Sequence, residues 1–127
     1  MIKRLSPYTW IIPCNNRYFN LSACFEKYGE TYWTQHNDFQ AGDEAYIYVC
    51  RPYSAIRYLV DIVETDMPYD AMMDFKQQFY GEPGDDSWKR HNRFAHLRMT
   101  AFTRSPQLSL EKLKEHGLRM ALDFAGV

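Results

Sequence analysis

The segment from Ala45 to Val63 constrains this chain most. Ala45 to Cys50 is apolar on both faces, as expected of a strand in the middle of a sheet. Arg51-Pro-Tyr-Ser54 puts Pro and Ser where turns favour them. Beyond it, Ile56, Tyr58, Val60 and Ile62 alternate with Arg57, Leu59, Asp61 and Val63, the period of a strand. Two strands joined by so short a turn should lie antiparallel, so the fold must be built around at least one sheet.

The flanking segments add to that hairpin. Thr9 to Cys14 reads as a buried strand, ended by Pro13 and the Asn15-Asn16 pair. Asn20 to Tyr28 reads as a helix, with Leu21, Cys24, Phe25 and Tyr28 on one stripe and Gly29 as its stop. Glu30 to Thr34 is a short strand carrying Trp33. Pro68 to Phe79 is expected to be helical, with Met72, Phe75 and Phe79 facing inward. Gly81 to Asp86 is a loop, and Phe94 to Thr103 is a strand with Ala95, Leu97 and Met99 on one face. Ser109 would cap a last short helix, and Arg119 to Val127 would form a final strand or tail. Five or six strands with short helices between them do not make a regular βαβ series, which argues against a parallel nucleotide-binding sheet. The fold class is α+β: a small barrel of mixed or antiparallel strands with short flanking helices.

At 127 residues the expectation is one domain, spanning 1–127, with a core large enough to need no staples. No apolar run is long enough to cross a membrane and no signal-like region follows Met1, so the expected location is the cytoplasm. Cys14, Cys24 and Cys50 are odd in number and lack CxxC spacing, and read as reduced thiols. His36, His91, His96 and His116 form no ligand pair with them, so neither a metal nor another cofactor is expected. Phosphate-binding glycine loops are absent.

A formal net charge of −1 argues against a strong non-specific nucleic-acid binder. The charges are nonetheless sorted. Asp61 to Asp86 is acidic, with Lys76 as its lone base, whereas Trp88 to Arg104 is basic and holds no acid. Either the two segments attract each other as solvated faces, or the basic one contacts phosphates.

Aromatics are in excess: three Trp, ten Tyr and eight Phe. Most must be core. Trp10 lies within a strand pattern and belongs there. Trp33 and Trp88 sit beside polar residues, Tyr18 and Tyr53 fall in turns, and Asn15 and Ser54 lie in the loops next to two neighbouring strands. Any one of these rings could simply cover a barrel end. Together they suit a pocket that grips a flat hydrogen-bonding ring, such as an extruded nucleobase.

These residues carry a resemblance that spans almost the whole chain. Trp10-Ile-Ile-Pro13 with Asn15, Trp33 after the first helix, Gly42-Asp43 before Tyr46-Ile-Tyr48, Ser54-Ala-Ile56 and Leu108-Ser-Leu-x-x-Leu113 together resemble the EVE domain. This is a PUA-like family related to YTH domains. The resemblance departs at Asn16, where family members often carry Pro, and after Gly126, where a fuller last strand would be expected. It implies a pseudo-barrel that recognises DNA or RNA containing a modified base held in an aromatic cage.

On that basis Tyr18, Trp33 and Trp88 are assigned as cage walls, Asn15 and Ser54 as readers of the base edge, and Arg51, Tyr53 and Lys89 as contacts to the backbone or the pocket mouth. The expected function is non-catalytic reading, weak alone and strengthened by a protein partner or a homo-oligomer. The alternative is a small PUA-like nuclease or hydrolase acting on a nucleotide-like substrate. It would need Cys14, His36 or His96 within hydrogen-bond reach of the pocket. A purely structural interaction module would show no concave aromatic site.

Overall fold

The computed structural model describes residues 7–50, 54–82 and 84–102. The turn residues Arg51 to Tyr53 and the expected elements after Phe102 lie outside these. Five strands form one mixed sheet: β1 (Thr9–Cys14), β2 (Glu30–Thr34), β3 (Glu44–Val49), β4 (Ala55–Met67) and β5 (Phe94–Phe102). Their order is β1-β3-β4-β5-β2. β1 runs parallel to β3, and the other three pairs are antiparallel. The hairpin of β3 and β4 stands as expected, with β3 central, although β4 runs four residues beyond Val63.

Among the described residues the sheet is not closed: β1 and β2 are its two edges. It curls all the same. Register shifts at Leu59/Val60, Ile62/Glu64 and Glu64/Met67 bend β4 against β5, as bulges do. Inward residues of β1, β3, β4 and β5 share one core with Leu21, Cys24 and Phe25 of the helix α1 (Leu21–Tyr28), and Trp33 of β2 packs against it. The result is a pseudo-barrel with an open seam between β1 and β2.

Helix α1 forms for local reasons. The Asn20 side chain accepts a hydrogen bond from the Ala23 N–H at 3.1 Å, and Gly29 closes the helix in the left-handed region at φ 71°. Ala71–Phe79 departs from expectation, because it is a 3-10 helix. Its period is three, so Met73, Lys76 and Phe79 face inward, while Met72 is 53 % exposed. Of the expected α-helical stripe, Phe79 is buried and Phe75 packs half-buried against the core, whereas Met72 turns outward and a lysine enters the core.

Candidate functional site

The seam holds a concavity. Pro13 and Asn15 line it from the end of β1, Trp33, Thr34 and His36 from the end of β2, Tyr18 and Phe19 from the intervening loop, and Lys76 and Tyr80 from the 3-10 helix and its exit. The two strands farthest apart in the hydrogen-bonding order therefore meet across one site. Its volume is about 50 Å³, room for roughly four waters. Tyr18, 49 % exposed, is the most open of the aromatic walls.

The loop is held by its own hydrogen bonds. The Asn15 carbonyl accepts hydrogen bonds from the N–H groups of Tyr18 and Phe19 at 3.1 and 3.0 Å, and its side-chain Oδ1 accepts from the Arg17 N–H at 3.0 Å. That leaves the Asn15 Nδ2 group without a protein partner among the described residues. Gly81 donates to the Tyr18 carbonyl at 2.9 Å. A Cβ there would lie 2.2 Å from the Arg17 carbonyl oxygen, so the close approach itself requires glycine.

The rings meet edge to face, as their quadrupoles favour. Phe19 lies 5.9 Å from Trp33 and 4.8 Å from Tyr80, and Tyr18 lies 5.5 Å from Tyr80. The Tyr80 hydroxyl is pushed well above the usual tyrosine range, chiefly by burial. It stays protonated and able to donate.

Three expected site residues reach the concavity: Asn15, Tyr18 and Trp33. Trp88 does not line it. At 2 % exposure it belongs to a second cluster with Tyr32, Met67, Met73 and Phe94, stacks on the back of Tyr80 at 5.7 Å, and donates to the Gln77 Oε1. A short 3-10 turn, Ser87–Arg90, points it inward from a polar stretch. Lys89 lies 3.5 Å from Asp74 and over the Tyr69 and Trp88 rings, away from the cavity lining. Ser54 sits exposed at φ 53° before β4, at the same end of the sheet but not in the lining. Arg51 and Tyr53 lie outside the described residues.

The sorted charges partly neutralise each other. Arg93 binds Asp66 at 2.5 Å and Asp38 at 3.1 Å, and Lys89 pairs with Asp74. Those pairings favour the reading of two attracting faces.

The residue that sequence reasoning missed is Lys76. It is 2 % exposed, and its Nζ donates to the Tyr32 carbonyl at 2.5 Å. Phe19, Tyr80, Trp88 and Phe94 surround it, with ring centroids 4.7–5.5 Å from the Nζ. Burial drives its pKa down to about 7. Its place as the only base in a long acidic run was the one available signal. Phe19 and Tyr80, joined by an isolated β-bridge, were equally hard to pair from sequence.

The donors that catalysis would need are dispersed. Burial, with Cys50 adding to it, holds the Cys14 thiol far above its ordinary range, and Cys14 is not in the lining. His96 stacks on Tyr32 at 4.7 Å and bonds Glu30 at 3.1 Å. Only His36 reaches the cavity. Among the described residues no cluster suits a metal ion, and no helix is long and apolar enough to cross a membrane.

No protein-family model matches the sequence, and no curated protein does. Among solved structures, a hypothetical protein from Leishmania major superposes with a TM-score of 0.51 at 14 % identity, over 87 % of this chain and 74 % of that one. The likeness is one of fold. Human THYN1 protein, in complex with 5-methylcytosine-containing DNA, superposes with a TM-score of 0.49 at 16 % identity, over 85 % of this chain and 74 % of that one.

Proposed function

We propose that this chain is an EVE-type reader that holds a modified nucleobase of DNA or RNA in the seam concavity, without catalysis. The observation that carries this function is the composition of that cavity. Tyr18, Phe19, Trp33 and Tyr80 supply ring faces and edges, and Asn15 offers an uncommitted amide beside them. Stacking contributes about 1–3 kcal/mol per base, against a few kcal/mol to extrude one from a duplex. Trp88 supports the site from behind Tyr80. Arg51, Tyr53 and Ser54 remain candidates for the mouth, because Cys50, just before them, donates to the Cys14 carbonyl at 2.9 Å, next to Pro13 and Asn15 of the lining. With a net charge of −1, backbone attraction adds little, and a protein partner or a second copy would raise affinity.

A panel of modified and unmodified oligonucleotides, read by fluorescence anisotropy, tests the assignment. Trp33→Ala should weaken binding roughly ten- to a hundredfold. Asn15→Ala should keep stacking and flatten discrimination between bases. The assignment is wrong if both variants fold and bind every oligonucleotide as the parent does. Mass spectrometry of the same incubations separates the hydrolase alternative, for which His36 at the cavity is the favouring observation: a cleaved or deaminated oligonucleotide would replace the reader with an enzyme.

A further inference from the structure

Lys76 is a buried amine with too few partners. An ammonium has three donors, and among the described residues Lys76 has one oxygen partner, the Tyr32 carbonyl. Around it are ring faces, which attract a cation without accepting a conventional hydrogen bond. Buried charges are ordinarily paired or fully hydrogen-bonded. Lys76 lines a cavity, and the Asn15 Nδ2, which also has no protein partner among the described residues, lines it from the end of β1. These two groups can only donate, so what they ask of a ligand is acceptors.

We infer that Lys76 is the specificity-determining residue of the concavity, donating from its floor to a ring carbonyl oxygen of the bound heterocycle. This rests on the base-reader function proposed above and adds to it the class of base: one bearing a keto group. Cytosine, thymine, uracil and guanine each present such an oxygen. Adenine presents an exocyclic amine in its place, which sets a donor against the donors of Lys76 and Asn15. A methyl or hydroxymethyl group on the ring would face the aromatic walls and leave the carbonyl contact intact. Trp88 and Phe94 act as positioning residues, because their ring centroids lie 4.7 and 5.3 Å from the Nζ while neither residue lines the cavity.

Lys76→Met tests it. The replacement is similar in length, and an apolar chain among aromatic rings should fold as well as the parent. Anisotropy is read on DNA and RNA strands that differ in one central base. That base either bears a keto group (cytosine, 5-methylcytosine, thymine, guanine) or lacks one (adenine, N6-methyladenine). At about pH 6, where Lys76 is protonated, the parent should prefer the keto group by about tenfold or more, the worth of a hydrogen bond from a charged donor, and Lys76→Met should lose that preference while still binding. A parent that prefers adenine, or a variant that keeps the parent's ranking, overturns the assignment of Lys76 and leaves the reader function standing. A parent that binds none of the strands fails as a base reader and takes the inference with it. Should the variant not fold, ¹⁵N-lysine-labelled parent gives the same decision. The Lys76 Nζ resonance should shift with a keto-bearing strand and not with an adenine strand, and an equal shift with both overturns the inference.

Discussion

Strand β1 has a buried charge at each end, and the two are treated differently. At its start Asp43 is 2 % exposed and accepts from the Tyr8 N–H at 2.9 Å, the Trp10 indole N–H at 2.8 Å and the Gln40 N–H at 3.0 Å. Those donors come from β1, the residue just before it and the loop before β3, so the carboxylate ties the two segments together. At the far end Lys76 is just as buried and holds one oxygen. A buried charge surrounded by hydrogen-bond partners stabilises a fold. One left short of them beside a cavity is poised for a ligand, and protein stability suffers for it. Asp43 therefore reads as structural and Lys76 as functional, although burial alone does not tell them apart.

The largest effect should come from Asp43→Ala. It leaves three donors without their acceptor, at about 1–3 kcal/mol for each group that stays buried, so total destabilisation of about 3–5 kcal/mol is expected in urea unfolding. A loss below 1 kcal/mol would remove the distinction between the two ends. Lys76 should behave in the opposite way. Its folded pKa of about 7 lies below the unfolded value near 10.4. The unfolded chain thus binds more protons above pH 7, and stability must rise with pH there. The parent should gain about 2 kcal/mol relative to Lys76→Met between pH 7 and about pH 9. The penalty of the charged form is fully present only below about pH 7, where the variant should be the more stable protein. Parallel stability curves for the two would show that the lysine is not desolvated as described.

Gly81→Ala probes the rigidity of the site loop. Its Cβ would meet the Arg17 carbonyl, so the Arg17–Tyr18 backbone must shift, with a loss of about 1–3 kcal/mol typical of overpacking. Base binding should weaken with it, whereas a variant as stable and as tight-binding as the parent would mean that the loop adapts freely. The smallest change is expected at Lys89, a half-buried cation paired with the more exposed Asp74. Lys89→Ala should alter stability by less than about 1 kcal/mol. A larger effect on affinity than on stability would return this residue to the phosphate-contacting role first considered for it.

Much of the architecture was legible before any coordinates. Strands β1 and β2 and helix α1 follow from patterns repeating within ten residues: short apolar runs, a helical stripe, a Gly stop. The β3–β4 hairpin was equally plain. Of the six candidate site residues that are described, three line the concavity. Asn15, Tyr18 and Trp33 stand where turn chemistry and polar neighbours suggested, while Trp88 looked solvent-facing because Asp85, Asp86, Ser87, Lys89 and Arg90 surround it in sequence. Over nine residues an α-helical stripe and a 3-10 stripe differ by a single position. Whether Met72 or Met73 faces inward therefore depends on which period the neighbouring strands allow. The same small choice carried Lys76 into the aromatic core.

Local chemistry was thus enough for the strands, their alternation and the cap and stop of α1, since each depends on neighbours within one or two turns of chain. Long-range packing chose the rest: that the sheet curls until its two edges, β1 and β2, face each other, that Tyr80 and Phe19 close the gap, and that a lysine lies beneath them. These features depend on contacts between residues up to some sixty positions apart, and no period or motif in the chain encodes such distances.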